Sequence, residues 1–442
     1  MKSKDLLFWI WLSEALGAGT KSFLKLIELY ESPYELFHAE EAEIERIEGL
    51  SDRVRASLCD KSLQRATQIL EACERLNVGI VTWADGHYPT ALREIEDPPV
   101  LLYWRGTFPQ FGQRLCVGMV GTRRMSAYGL RAAYKMSYEL ATLGVVVVSG
   151  MAAGIDGVSS AAAIAAKGTT VAVLGCGLDV IYPRHHKGLY TEILKQGLLL
   201  SEYPPGTRPN GYHFPTRNRI ISGLSQATLV VEAGLGSGSL ITAKDAILQG
   251  RDVYALPANV DSHGAEGTNG LLRDGAHLAL NARELVEPYA YLYANTLHYE
   301  RLLKVKEQSE ADLEFLARMG VIELTRAAKE VPASTPKPPA VPEKKAKAEP
   351  KGRARRARAA EKEQTASAPP AHEPKAATPD EVISSLSAVQ LAILQHMPDD
   401  RAIATDALCG LDFPQGEIMA ALTFLEIMGL IQKLPGALYK KS

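Results

Sequence analysis

Four short segments combine glycine with small polar residues, and each directly follows an apolar, β-branched run. Glycine lets backbone amides approach an anion closely, and the amino terminus of a following helix adds partial positive charge. This composition predicts a phosphate-binding surface, whereas the simpler explanation is that the glycines serve close packing alone. The four segments are 121–124 (GTRR), 149–156 (SGMAAGID), 175–179 (GCGLD) and 234–239 (GLGSGS).

Basic residues are concentrated in two stretches that contain no Asp or Glu. One stretch spans 98–138 and holds six basic residues, and the other spans 203–231 and holds three arginines. The whole chain carries 49 basic and 51 acidic residues, for a net charge of -2. This balance excludes a uniformly basic nucleic-acid coat and favours a local basic patch. The basic residues of the two stretches are Arg105, Arg114, Arg123, Arg124, Arg131, Lys135, Arg208, Arg217 and Arg219.

The second stretch contains the sequence FPTRNR, whose side chains suit a nucleic-acid strand. Arg217 and Arg219 can grip phosphates bidentately. Asn218 can bond a base edge or a sugar, and Phe214 offers a face on which a base can stack. The alternative is a loop whose arginines pair with carboxylates elsewhere in the fold.

Other polar residues near these segments allow two interpretations each. Arg184 extends the basic surface or is an exposed loop residue. The hydroxyls of Ser237, Ser239 and Thr242 bind an anion or cap the helix that follows.

The remaining titratable candidates do not indicate catalysis. Asp156 and Asp179 fit helix caps or loop anchors better than acid catalysts, and Cys176 fits a small buried residue. The absence of G-x-x-x-x-G-K-[ST] and of G-x-G-x-x-G argues against a P-loop NTPase and a dinucleotide dehydrogenase. No histidine has the spacing of a zinc ligand. We therefore expect no catalytic residue, no metal and no cofactor.

Strands and helices must alternate through the middle of the chain to position these segments. Continuous apolar strands separated by helices predict a mainly parallel sheet covered on both faces, a doubly wound, Rossmann-like α/β domain over 81–290. Ligands of such sheets bind at the carboxyl ends of the strands, beside a topological switch point. The predicted strands are 115–120, 145–148, 170–174, 198–200, 228–231 and 253–256, and the helices between them include 129–143, 157–167 and 240–249.

The flanking regions differ in composition from this domain. Residues 1–80 predict short helices with two glycine-containing breaks, as in a SAM-like or helix-hairpin-helix domain, where loop amides hold a phosphate. Helix C-caps in a small bundle are the alternative, favoured by the acidic flanks. Residues 291–330 predict a helical extension. Residues 331–379 contain 10 Pro, 13 Ala and 11 Lys/Arg, which predicts a disordered linker.

Residues 380–442 predict a winged-helix module. Helices are expected over 386–397, 405–411 and 414–428, followed by a hairpin with its turn near Pro435-Gly436. The third helix contains Glu417 and Glu426 and no Lys or Arg, so it is poorly suited to read a DNA groove. A role in protein interaction is therefore favoured for this module.

The cysteine content and the hydropathy pattern suggest a cytoplasmic protein. The five cysteines are far apart and odd in number, which argues against a disulfide framework. No apolar run reaches the roughly 18 residues of a membrane span. The apolar run at 6–12 is seven residues long and fits an amphipathic first helix better than a signal peptide.

Five motifs in the middle of the chain closely resemble the DNA-processing protein A (DprA/Smf) family. They appear in the same order as in that family, over roughly residues 80–285. The motifs are SGMAAGID (149–156), GLDVIYP (177–183), SEYPPGT (201–207), FPTRNRIISGLS (214–225) and VEAGLGSGSLITAKDAILQGRDVYALP (231–257).

The resemblance implies a non-enzymatic protein that binds single-stranded DNA in a pocket of its Rossmann-like domain. It further implies protection of incoming strands during natural transformation, loading of the RecA recombinase and dimerisation through the same domain. Carried over to matching positions, the implied pocket comprises Gly121, Thr122, Arg123, Ser149, Gly150, Arg184, Phe214, Arg217, Asn218 and Arg219.

Two other functions are weighed against this one. The first is a nucleotide hydrolase of the related lysine-decarboxylase-like (LOG) group, which cleaves a ribosyl bond. Its P-G-G-x-G-T-x-x-E-type loop is absent here, where the corresponding segment reads EAGLGSGS. The second is a protein-interaction scaffold whose basic surface is incidental.

Overall fold

The computed structural model describes residues 3–262, 264–302, 312–323, 388–398, 403–404, 413, 418, 421–422, 425, 431–434 and 438–441. The chain divides into two compact units, Met1–Lys337 and Pro338–Ser442. The predicted linker 331–379 and the predicted helix 405–411 lie outside the described residues, as does most of the predicted helix 414–428.

The first unit begins with a group of short helices. Apolar side chains at helical spacing form their common core, in which Ile10, Leu26 and Leu58 are fully buried. Side-chain caps fix two of the helix starts, because Ser32 accepts the backbone N–H of Glu35 and Ser51 accepts that of Val54. The helices are α1 (Ser3–Leu16), α2 (Phe23–Tyr30), α3 (Pro33–His38), α4 (Glu41–Glu45), α5 (Asp52–Cys59) and α6 (Gln64–Leu76).

A nine-stranded sheet forms the centre of the same unit. Its spatial order is β1-β2-β6-β5-β4-β3-β7-β8-β9. The pairings of β1 with β2 and of β2 with β6 are antiparallel, and all pairings from β6 to β9 are parallel. The strands are β1 (Gly79–Thr82), β2 (Leu101–Gly106), β3 (Cys116–Val120), β4 (Val146–Ser149), β5 (Thr169–Leu174), β6 (Leu198–Ser201), β7 (Ala227–Val230), β8 (Asp252–Ala255) and β9 (His277–Leu278).

The parallel α/β sheet predicted from the sequence is confirmed. Six of its strands begin and end within one residue of the predicted bounds. Along these six strands, side chains alternate between two buried cores, as the period of two requires. Along β4, for example, Val147 belongs to one core and Val146 and Val148 to the other. Because both faces of the strands are buried, they appear in the sequence as continuous apolar runs.

Helices cover both faces of the sheet. The remaining helices are α7 (Thr90–Arg93), α8 (Ala127–Thr142), α9 (Ile155–Ala165), α10 (Lys187–Gln196), α11 (His213–Leu224), α12 (Ser239–Leu248), α13 (Glu266–Arg273), α14 (Ala282–Val286), α15 (Tyr299–Leu302) and α16 (Leu313–Arg318), with 3-10 turns at Phe111–Gln113, Arg184–His186 and Glu287–Tyr289. The core that contains α8, α9, α10 and the amino-terminal helices lies on one face, and the core that contains α11 and α12 lies on the other.

The strand order reverses at β3. From β3 the chain passes to β4, β5 and β6 on one side, and it then returns to β7 on the other side of β3. The loops that follow β3 and β7 therefore leave the sheet in opposite directions and open a crevice between them, which is where doubly wound sheets bind ligands.

The second unit is described in part. It contains α17 (Ala388–His396) and a three-stranded sheet of order β10-β12-β11, in which every pairing is antiparallel. The strands are β10 (Ile403–Ala404), β11 (Ile431–Leu434) and β12 (Leu438–Lys441). The strands β11 and β12 lie where the sequence predicts a hairpin, and the assignment to the winged-helix class stays a prediction. No helix in the described ranges of either unit is long and apolar enough to cross a membrane.

Candidate nucleic-acid interface

A cavity of about 690 Å³ lies at the carboxyl edge of the sheet, at the crevice beside β3. It is formed by the loops after β3, β4 and β7, by the segment before α11 and by the amino-terminal turns of α11 and α12. The first, second and fourth glycine segments identified in the sequence contribute to its lining, and Tyr182 lies shortly after the third segment, 175–179. The lining includes Gly121, Thr122, Arg123, Arg124, Asp156, Tyr182, Asn210, Phe214, Arg217, Asn218, Ser237, Ser239 and Thr242.

The loop after β3 presents two exposed cations to this cavity, Arg123 and Arg124. The loop is fixed by backbone hydrogen bonds, because the N–H of Thr122 donates to the carbonyl of Glu232 over 2.8 Å. Neither arginine forms an ion pair within the described part of the chain. Their charge is therefore available to an anionic ligand.

Aromatic rings pack beside these cations. The guanidinium carbon of Arg123 lies 5.1 Å from the centroid of the Phe214 ring, which is a cation–π contact. The Phe214 ring also stacks on the ring of Tyr182, with centroids 5.3 Å apart and planes inclined by 28°. Tyr182 is a component of the cavity that the sequence analysis missed. The available signal was its position directly after the third glycine segment, at the same edge of the sheet.

Arg217 forms the floor of the cavity and is 3% exposed. Its guanidinium donates to the carbonyl of Gly150 over 2.9 Å and also to the carbonyl of Val173, so it ties the loop after β4 to β5. Its Nε donates to Oδ1 of Asn218 over 3.1 Å. Burial lowers the pKa of Arg217, and the carboxylate of Asp156 opposes this effect. The side chain thus supports the structure and also gives the floor positive charge.

Asp156 and Asp179 are loop anchors. Asp156 is buried, and its carboxylate accepts the N–H of Gly150 over 3.1 Å. Burial raises the pKa of this carboxyl group. Asp179 accepts the N–H of Gly206 over 2.8 Å. Both carboxylates fix glycine-containing loops, which is the role that the sequence analysis favoured.

Hydroxyl groups and a helix terminus form a further wall of the cavity. Oγ of Ser237 and Oγ of Ser239 are 2.8 Å apart at the amino terminus of α12. Thr242, one turn further along, is 1% exposed and still lines the cavity. The side-chain amide of Asn218 donates to the carbonyl of Gly238 over 3.4 Å. Backbone N–H groups at such a terminus favour anions, so this wall complements the cationic one.

The structure corrects the expectation for Arg219, which does not line the cavity. Its Nη2 lies 2.6 Å from Oε1 of Glu202, and its Nε lies 3.3 Å from Oδ2 of Asp97. The side chains of Arg219 and Glu202 are both at most 6% exposed. On α11, Arg217 and Arg219 point in different directions because residues two apart lie on different faces of a helix. Arg219 is thus one of the arginines that pair with carboxylates elsewhere in the fold.

The carboxylate of Glu202 also holds the first of the two glycine-containing breaks between the amino-terminal helices. The N–H of Gly19 donates to Oε1 of Glu202 over 3.4 Å, and a Cβ at Gly19 would lie 2.5 Å from Cγ2 of Thr216 on α11. Gly19 also has a φ of +73°, which favours glycine. At this break, the loop packs against α11, so these contacts of Gly19 are structural.

Ser149, Gly150 and Arg184 do not line the cavity either. Ser149 is fully buried, and its hydroxyl donates to the carbonyl of Met119 over 2.6 Å. Gly150 leaves room for the guanidinium of Arg217, with which a Cβ would collide. Ser149 and Gly150 therefore support the residues that line the cavity and do not line it themselves. Arg184 is exposed at the start of a 3-10 turn and forms no ion pair with the described residues.

The acid-free stretch 98–138 does not form a single basic patch. Arg114 donates to the carbonyl of Gly144, which precedes β4 and therefore lies at the amino edge of the sheet. Arg105 donates to the hydroxyl of Tyr190 over 3.1 Å. Proximity in the sequence therefore overestimates the number of arginines in the basic patch, because the loops before and after one strand lie at opposite edges of the sheet.

Cys176, at the third glycine segment, is a buried thiol. It is 2% exposed, and burial raises its pKa to about 11. A thiol of this kind is a poor nucleophile at neutral pH.

The sheet order and the position of the cavity define a doubly wound α/β protein with an anion-compatible site at its switch point. The family model described as DNA recombination-mediator protein A matches residues 79–290. Protein Smf of Synechocystis sp. is 31% identical over 447 residues, which cover all of this chain and all of that protein. The chain belongs to the DNA recombination-mediator protein A (DprA/Smf) family.

Two further similarities cover part of the chain. DNA processing protein DprA of Bacillus subtilis is 38% identical over 240 residues, which are 53% of this chain and 81% of that protein. The X-ray structure of DNA processing protein A from Streptococcus pneumoniae superposes with a TM-score of 0.56 and 33% identity. It covers 64% of this chain and 97% of that chain.

Proposed function

We propose that this protein binds single-stranded DNA in the cavity at the carboxyl edge of the sheet, without a chemical step. The observation that carries the proposal is the composition of the lining. The exposed guanidinium groups of Arg123 and Arg124, the rings of Tyr182 and Phe214 and the hydroxyl groups at the start of α12 meet in one cavity. Proteins that bind single-stranded DNA without sequence preference combine cations, which bind the phosphates, with aromatic rings, on which the bases stack.

The position of the aromatic rings favours a single strand over a duplex. Tyr182 and Phe214 line a cavity rather than a flat surface, and a base reaches them only when it is unstacked from its neighbours. In a duplex, bases are paired and stacked, so that unstacking costs a few kcal/mol per step. Phosphate contacts alone would not discriminate in this way, because both forms of DNA present phosphates.

Fluorescence anisotropy with a labelled oligo(dT) strand and a duplex of equal length tests this proposal. We expect the single strand to bind much more tightly than the duplex at the same salt concentration. Equal affinity for both forms of DNA would contradict the proposal that the rings of Tyr182 and Phe214 contact an unstacked base. Absence of binding at low salt would contradict the whole proposal and favour the LOG-like nucleotide hydrolase, whose activity would be seen as release of free base from nucleotides.

The wider role that we propose is that of a cytoplasmic recombination mediator. In this role the protein protects incoming single strands during natural transformation, loads RecA onto them and acts as a homodimer through the domain 81–290. Membership of the DNA recombination-mediator protein A family supports this proposal. Loading can be measured as the rate of RecA filament assembly on a strand coated with single-strand-binding protein. The protein should accelerate assembly, and an unchanged rate would contradict this part of the proposal.

We further propose that residues 1–80 form a SAM-like helical domain and residues 380–442 a winged-helix module with a role in protein contacts. Residues 291–330 would then be a helical extension and residues 331–379 a linker. The packing of the Gly19 loop on α11 supports a structural role for the amino-terminal helices. Limited proteolysis tests these boundaries, since cleavage should be concentrated within 331–379.

A further inference from the structure

We propose that Tyr182 is the side chain on which a base of the bound strand stacks. From the sequence alone, Phe214 is the expected stacking residue and Tyr182 has no expected role. The inference rests on the proposed function, because it requires that a strand enters the cavity, and it deepens that function by naming the contact that the base makes.

The Phe214 ring already has its own packing partners. The guanidinium carbon of Arg123 lies 5.1 Å from its centroid, and the Tyr182 ring stacks on it at 5.3 Å. Gly175 also lies against the ring, since a Cβ there would be 3.0 Å from Cδ1 of Phe214. A base could stack fully on Phe214 only after one of these partners moved away. Phe214 is therefore the inner ring of the stack.

Tyr182 is the outer ring. It lines the cavity, and 38% of its surface is exposed. Its hydroxyl forms no hydrogen bond with the described residues of the chain, so no polar contact ties the ring to the protein. A tyrosine in contact with solvent on one side and supported by a second ring on the other offers an uncovered aromatic surface, which is the feature that single-strand-binding proteins use for bases of any sequence.

The backbone around Tyr182 is held at both ends. Before it, the N–H of Val180 donates to the carbonyl of Gly177 over 3.0 Å. After it, the buried imidazole of His186 lies 3.1 Å from the carbonyl of Met151, joined through Nδ1. The ring is thus presented by a fixed segment, which lowers the entropy that stacking would otherwise cost.

The other groups of the cavity suit the sugar-phosphate backbone rather than a base plane. The described lining contains two aromatic residues, Tyr182 and Phe214, and its remaining polar side chains carry guanidinium, hydroxyl and amide groups and the buried carboxylate of Asp156. A base that leaves water on entering the cavity therefore has the Tyr182 ring as the available aromatic surface.

A cycle of binding measurements tests this assignment. The full-length protein and the variants Tyr182→Phe and Tyr182→Leu are each titrated with oligo(dT) and with the same strand carrying abasic residues in place of its central bases. Tyr291→Leu serves as the matched control, since Tyr291 is 93% exposed and lies outside the cavity. Thermal unfolding of each variant confirms that it is folded.

We expect the unchanged protein, Tyr182→Phe and Tyr291→Leu to bind the abasic strand about 10-fold more weakly than the intact strand, in keeping with the energy of stacking one base on a ring. Tyr182→Leu should bind both strands with the same, weaker affinity, because leucine keeps apolar packing against Phe214 and removes the ring. A side chain that only supports Phe214 would change the affinity for both strands and leave their ratio unchanged.

The inference is overturned if Tyr182→Leu still prefers the intact strand by the same factor, or if the unchanged protein binds both strands equally. Either result leaves the proposed function in place, provided that the unchanged protein binds the intact strand. A protein that binds neither strand would instead contradict the proposed function, and the assignment of Tyr182 with it.

Discussion

The guanidinium of Arg123 packs against the ring of Phe214, with its central carbon 5.1 Å from the ring centroid. The two residues come from different elements, the loop after β3 and the first turn of α11, and the fold brings these elements together at the switch point of the sheet. The contact restricts the guanidinium without neutralising it, because the partner is an aromatic ring and not a carboxylate. A positioned cation that lines a cavity and forms no ion pair with the described residues is well suited to hold a phosphate.

Replacement of Arg123 by Ala should weaken single-strand binding without unfolding the protein. The side chain is exposed and forms no ion pair with the described residues, so the loss of its cation–π contact with Phe214 should change the free energy of unfolding by less than about 1 kcal/mol. The loss of one charge-assisted phosphate contact should reduce the affinity about 10-fold. The slope of log K against log salt should become shallower by about 0.7.

Arg131→Ala is the control for this variant. Arg131 is exposed on α8 and lies outside the cavity, and its removal changes the net charge by the same amount. If both variants lost affinity equally, binding would depend on total charge and not on the position of Arg123.

Arg217 should behave differently, because it is part of the folded structure. Arg217→Met leaves the carbonyls of Gly150 and Val173 without their donor and leaves Asp156 buried without its neighbouring charge. Removal of one member of such a buried charged group costs about 3 kcal/mol. Urea unfolding should therefore show a clear loss of stability for Arg217→Met, in contrast to Arg123→Ala. Identical unfolding curves for the two variants would show that the buried contacts of Arg217 contribute nothing.

The stability of the protein should depend on pH through His186. Burial and the adjacent His185 lower the pKa of His186 to about 4. The unfolded chain takes up a proton on this imidazole below about pH 6.5, whereas the folded protein resists it down to about pH 4. The contribution of His186 to the free energy of unfolding is thus complete above pH 6.5 and is lost as the pH falls toward 4. From pH 7 to pH 5 the free energy of unfolding should fall by roughly 2 kcal/mol through this group.

His186→Gln provides the comparison for this effect, because glutamine does not titrate. Urea unfolding at pH 7 and pH 5 should show a smaller loss of stability for the variant than for the unchanged protein. An equal loss in both proteins would assign the pH dependence to other groups.

Deletion of residues 380–442 should leave most of the single-strand affinity in place. The cavity and all the residues that line it belong to the unit Met1–Lys337. Titration of the truncated protein with the same labelled strand measures the effect. A near-complete loss of binding would mean that the principal DNA contacts lie in the second unit.

The sequence was sufficient to predict the parallel sheet and the edge at which its site lies. Apolar runs buried on both faces are continuous, and this signal is local, so six strands could be located to within one residue. The four glycine segments follow strands, and parallel strands end at the same edge, which is why a shared site could be inferred before any contact was known.

The direction of individual side chains could not be predicted in the same way. Arg217 and Arg219 are two residues apart on one helix, yet one forms the floor of the cavity and the other is buried with Glu202 and Asp97. This difference depends on where distant carboxylates lie in the fold. Tyr182 was missed for the same reason, since its role follows from stacking on Phe214, a residue far away in the sequence.

The central claim is that single-stranded DNA binds in the cavity at the carboxyl edge of the sheet. Photochemical cross-linking measures the position of the DNA on the protein most directly. An oligonucleotide carrying 5-iododeoxyuridine is bound to the full-length protein and irradiated, and the cross-linked peptides are identified by mass spectrometry. We predict cross-links to the peptides that contain Arg123, Tyr182 and Phe214. Cross-links confined to residues 1–76 or 380–442, with none at these three positions, would contradict the assignment of the cavity as the DNA-binding site.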